Sequence, residues 1–186
     1  MFAQPEARVR SQALRTALSV LFFAALTALT ARIAIPLPFT PVPVTLQVLA
    51  VLLAGLVLGS RGGALAQVAY LAAVASGLPF TAAGSGGPAA FVGPTAGYLL
   101  AFAPAAFVAG WIAERRAGAV VALLLAALTG VAVIYLVGAA WLSVWLGGDL
   151  TKAWRLGVAP FVLIDLLKAA AAAAVAGAGR RLLRLP

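Results

Sequence analysis

Long apolar runs separated by short Gly/Pro-rich or basic breaks dominate this chain. Measured against the about 20 residues a helix needs to cross a bilayer, the pattern predicts six helices, at roughly 14–35, 44–58, 64–76, 95–113, 119–146 and 158–178. Alanine, leucine and glycine are frequent in them, which fits close-packed membrane helices better than alternating strands. The expected fold is all-α: a polytopic integral membrane protein with one transmembrane domain over residues 1–186. The second and third runs are short and bounded by Gly or Pro, so they are expected to be tilted, broken or extended into structured loops.

The breaks between runs carry their own pattern. Pro36, Pro38, Pro41 and Pro43 crowd the stretch IPLPFTPVPVTLQ; proline fixes φ and lacks an amide donor, so this segment is expected to be extended and stiff, a preformed wall with Phe39 as its apolar contact. The tetrapeptide LPFT occurs at Leu37–Thr40 and again at Leu78–Thr81, which is weak evidence of a repeat. LPFTAAGSGGPAAFVGP, Leu78 to Pro94, has no charge at all. Its Leu78, Phe80, Phe91 and Val92 should seek burial, and irregular backbone at membrane depth is tolerated only inside protein or against a cavity. A loop folded back over the bundle is therefore expected, and short, interrupted segments beside such loops point to a transporter's binding site.

Composition sharpens this. The 186 residues are 65% hydrophobic and 9% charged, with mean hydropathy +1.12. Cysteine and histidine are both absent, which excludes thiol nucleophiles, disulfides, imidazole bases and the usual zinc ligands. The net charge of +9 needs no nucleic acid. With six spans, Arg8, Arg10, Arg15, Arg61, Arg115, Arg116, Arg180, Arg181 and Arg184 fall on one side, while Arg32, Lys152 and Arg155 fall on the other. The positive-inside rule then places the N- and C-termini in the cytoplasm. The first apolar run is too long for a signal-peptide core and lacks a small-residue cleavage site, so it is expected to be retained. No Gly-rich, Lys-containing phosphate cradle is present, so any ATP dependence must come from partners.

One pair of residues stands apart. Asp165 and Lys168 lie three residues apart, on one face of an otherwise apolar last run. A charge at a helix centre costs about 2.5–3.5 kcal/mol on insertion scales. The pair could neutralise itself, or bond Gln47, Gln67 or Tyr70, as structural glue; yet an apolar pair of similar volume often stabilises as well. Side by side, an acceptor and an ammonium suit a small ligand with N–H donors and an anionic group; a proton relay is the other use. Glu114, beside Arg115 and Arg116, is expected to form a surface ion pair. An enzyme is not expected.

The joint occurrence of PFTPVPVTLQVLAVLLAGLVLGSRGG, GLPF before a Gly-rich stretch, GPTAGYLLAF and IDLLK resembles the BioY family, from about Ala24 to Lys168. BioY proteins are the biotin-specific S components of energy-coupling factor (ECF) vitamin transporters. The resemblance implies six helices around a biotin pocket near the outer face, capped by loops, in a bacterial or archaeal cell membrane. Asp165 and Lys168 match the family's essential polar contacts, Thr45 and Gln47 its TLQ segment, and Tyr98 its GPT-Gly-Tyr segment. Phe39, Tyr70, Phe80 and Tyr98 are then expected to line the pocket. Ala24 and Ala28 look like the small-residue surface by which S components dock onto their membrane coupling protein, which works with ABC-type ATPases; a homo-oligomer is also compatible. Biotin would be cargo, with no cofactor. Where many relatives carry bulkier or more polar residues in the Gly-rich loop, this chain has Ala82, Ala83 and Ser85. Two readings from other classes remain: a proton-coupled carrier for another small anion, and a structural protein with a buried ion pair.

Overall fold

In the computed structural model, residues 5–115 and 120–182 are described, with side chains from residue 10 onward. Arg116, Arg184 and Ala119 lie outside the described residues, as does the side chain of Arg8. The order is α1 (Pro5–Ala31), β1 (Ala34–Ile35), β2 (Val44–Thr45), α2 (Gln47–Ala75), α3 (Ala96–Arg115), α4 (Val120–Trp145), α5 (Leu150–Gly157) and α6 (Val162–Leu182). Among the described residues, five helical stretches are long and apolar enough to cross a membrane: Arg10–Ala31, α2, α3, α4 and Leu150–Leu182.

The second of these is folded on itself. Gly59 adopts φ 79° and ψ −177° inside α2, a conformation that costs other residues strain. Beyond it the chain reverses: Gln47 Nε2 donates to Tyr70 OH at 2.8 Å across 23 residues, which a straight helix would hold about 34 Å apart. Residues 47–58 and 60–75 are thus antiparallel arms, so close that a Cβ on Gly63 would lie 2.6 Å from the Cα of Gly55. The predicted helices at 44–58 and 64–76 are these arms, with the gap between them shrunk to a single residue. At about 18 Å, the first arm falls well short of the roughly 30 Å hydrocarbon core, which leaves room at one end of the bundle.

Glu114 holds the turn. Its carboxylate accepts from Ser60 N at 2.8 Å and from Ser60 Oγ at 2.9 Å, filling the need of the unpaired N–H groups at a helix start. Among the described residues Glu114 makes this cap and no ion pair with arginine; Arg116 lies outside them. Arg180, from α6, donates to Leu56 O at 3.0 Å and Ala113 O at 3.3 Å, closing the ends of the first arm and α3.

Small residues set the packing. Gly110 of α3 lies against Gly59 and Ser60, and Gly97 lies against Trp141 of α4. On α6, Asp165, Lys168, Ala169, Ala172, Ala173, Ala176 and Gly177 are buried at helical spacing. Large side chains such as Leu18, Phe22, Leu136, Leu163 and Leu167 point outward, a surface suited to lipid rather than water. Ala24 and Ala28 do not belong to that surface. Both are buried in the main core, because the close approach two alanines permit is spent on packing α1 within the chain, which corrects their reading as an outward docking face.

Two short elements were not expected. Ala34 pairs with Thr45 and Ile35 with Val44, so the proline segment is the tip of a small β-hairpin. The 147–157 loop contains α5, whose N-cap Asp149 accepts from Lys152 N at 2.8 Å. That backbone N–H, before any side-chain effect, holds the Asp149 carboxyl below its ordinary pKa.

Candidate functional site

A cavity of about 460 Å³ occupies the end of the bundle where α1 finishes and α6 begins, opposite the Gly59 turn. Its roof is the hairpin tip, with Pro36, Leu37, Thr40, Pro41 and Pro43, and the Gly-rich loop, with Thr81, Ala82, Ala83 and Ser85; its floor includes Leu99, Phe102, Ile134 and Phe161. Thr45, Gln47, Tyr98, Tyr135, Asp165 and Lys168 supply polar atoms to its wall.

At the floor, Asp165 is 3% exposed and Lys168 7%. Lys168 Nζ donates to Asp165 Oδ1 at 2.6 Å, and Tyr135 OH donates to Asp165 Oδ2 at 2.7 Å. Asp165 sits in the first turn of α6, where the helix dipole favours negative charge. The two side chains do turn toward each other, yet both also face the void, and an ammonium with one bond made has two donors left for a guest.

A second polar chain lies behind the wall. Thr45 Oγ donates to Gln47 Oε1 at 3.4 Å, Gln47 Nε2 donates to Tyr70 OH at 2.8 Å, and Tyr70 OH donates to Phe80 O at 3.1 Å. It ties the hairpin, both arms of α2 and the Gly-rich loop together. Tyr98 OH donates to Gly157 O at 2.9 Å, and Thr40 Oγ donates to Leu156 O at 2.7 Å, so α5 anchors the wall and the hairpin tip alike.

Of the residues expected to line a pocket, Thr45, Gln47, Tyr98, Asp165 and Lys168 do so. Three aromatics do not. Phe39 is 56% exposed at the hairpin tip. Tyr70 is buried behind the wall, and Phe80 packs its ring on the core while its carbonyl takes the Tyr70 hydroxyl. The loop itself is half-tucked: Phe80 and Phe91 pack on the core, whereas Leu78 and Val92 are exposed. Tyr135 was missed; its signal was a lone phenol within a run of aliphatic residues. Trp141 Nε1 donates to Gly93 O at 2.9 Å and pins the far end of the loop.

A bundle of apolar-faced helices closing over a roofed cavity, with one buried acid–base pair at its floor, has the build of a membrane protein that captures a small polar guest. The BioY family model matches residues 4–185, and the chain belongs to that family. It is 44% identical over 157 residues to the probable biotin transporter BioY of Pyrococcus horikoshii, covering 84% of this chain and 91% of that one. To the biotin transporter BioY of Rhizobium etli it is 42% identical over 164 residues, covering 84% and 87%. The crystal structure of the S-component for biotin from an ECF-type ABC transporter superposes with a TM-score of 0.85 at 29% identity, covering 92% and 93% of the two chains.

Proposed function

We propose that this chain is the biotin-capturing S component of an ECF-type transporter. The observation that carries the reading is the roofed cavity whose wall, among the described residues, holds the charges of Asp165 and Lys168 alone. Biotin's fused ring lies on Leu99, Phe102, Ile134 and Phe161. Asp165 accepts a ureido N–H, and Lys168 turns a spare hydrogen to the ureido oxygen. Tyr135 keeps the carboxylate aimed. Thr45 and Gln47 stiffen the wall from the side.

The cavity opens outward across the cell membrane, with both termini in the cytoplasm. Release inward requires the loaded bundle to reorient, driven by ATPases through a membrane coupling protein. The tight Asp165–Lys168 contact favours a second reading, in which the pair is structural only. Titration calorimetry of the detergent-solubilised protein with biotin separates the two. Wild type is expected to bind, with Asp165→Asn at least tenfold weaker, and equal affinity of the two would overturn the assignment.

A further inference from the structure

The floor pair is neutral as a unit, and so is a ureido ring. A guest that also carries a carboxylate upsets this balance: if Lys168 took it, two anions would share one cation against a mostly apolar cavity lining, where charge is poorly tolerated. A second cation within reach of the guest is called for.

Arg32 is placed for it. Its guanidinium donates to Pro79 O at 3.4 Å, and its Nη1 lies 2.8 Å from where a Cβ on Gly84 would stand. Gly84 is flanked by Ala83 and Ser85, both in the cavity roof, and Ala34, two residues beyond Arg32, lines the same cavity. Among the described residues the ion pairs are Lys152–Asp149 and Lys168–Asp165, so Arg32 has no carboxylate of its own. One of its five N–H donors is engaged, and because the residue is exposed its charge keeps its water. Lys152 is held by Asp149. Neither Arg32 nor Arg155 is part of the cavity wall itself; what separates them is that the Arg32 guanidinium lies against the Gly-rich roof loop at Pro79 and Gly84, whereas Arg155 is exposed on α5.

We infer that Arg32 is the specificity-determining residue that reads the anionic tail of the guest at the cavity rim, while Asp165 and Lys168 read its neutral ring. The inference rests on the biotin reading. Its bond to Pro79 also makes Arg32 a latch on the Gly-rich loop, so a general loss of affinity in a variant would not by itself establish the role.

The test is therefore a comparison of ligand charge. Affinities of purified protein for biotin and for biotinamide, whose tail is uncharged, are measured by calorimetry for wild type, Arg32→Gln, Arg32→Lys and Arg155→Gln. Arg32→Gln is expected to weaken biotin about tenfold more than biotinamide, as loss of one charge-assisted contact implies. Arg32→Lys should retain the preference for the charged tail, and Arg155→Gln should match wild type with both ligands. Equal effects of Arg32→Gln on the two ligands, no effect at all, or a charge-selective loss in Arg155→Gln instead would overturn the role of Arg32 and leave the biotin reading standing. Wild-type protein that binds neither ligand would overturn both.

Discussion

Asp165 and Lys168, 2.6 Å apart and almost fully enclosed, are a pair whose halves cannot be removed singly without penalty. Asp165→Leu alone strands a buried ammonium, a loss of about 3–5 kcal/mol, and thermal unfolding in detergent should show it. Combining Asp165→Leu with Lys168→Met is expected to restore most of the melting temperature while biotin binding stays abolished; a double variant that still binds would reduce the pair to glue. Gln67 is the converse case. It is wholly buried, and among the described residues neither its Nε2 nor its Oε1 has a partner, so Gln67→Leu should stabilise the fold by about 1–3 kcal/mol, read as a higher melting temperature. Both acid–base residues were legible in the sequence because a charge inside an apolar run is a conspicuous anomaly. Tyr135 was not: a phenol is amphipathic enough to pass as core, and only the fold brings it to a carboxylate 30 residues away.

Among the elements, the α2 hairpin carries the most consequence. Its two arms were visible as short apolar runs, and the cluster Gly59, Gly62 and Gly63 marked where they part. What holds the turn was invisible, since Glu114 reaches Ser60 across 54 residues and a carboxylate beside two arginines reads locally as an ion pair. Likewise the small residues of α1 were legible as a close-approach surface, but which neighbour approaches is a question of topology. Gly59→Ala places a Cβ both at positive φ and against the Glu114 carboxylate. The backbone strain alone is about 1–3 kcal/mol, and displacing the cap adds to it. The expected result is a clear fall in melting temperature, larger than that of Glu114→Gln, which keeps one amide oxygen as acceptor. A Gly59→Ala protein as stable as wild type would mean the turn is not built as described.

At the scale of the whole molecule, the cavity and one cluster of basic residues lie at opposite ends. Arg61, Arg115, Arg180 and Arg181 gather toward the Gly59 turn and the end of α6, whereas Arg32, Lys152 and Arg155, with the buried Lys168, are the cations at the roofed end among the described residues. Under the proposed function, retention of Lys and Arg on the cytoplasmic side turns the cavity mouth outward, as capture from outside demands. The chain has no cysteine, so one introduced thiol reports its side without interference. Ser76, exposed where the second arm of α2 ends, and Arg61, exposed beside the Gly59 turn, sit at the two ends of the same arm. Ser76→Cys should react with a membrane-impermeant maleimide in intact cells, and Arg61→Cys only after the membrane is opened. The opposite labelling pattern would turn the cavity toward the cytoplasm, where a protein of this build has nothing to import.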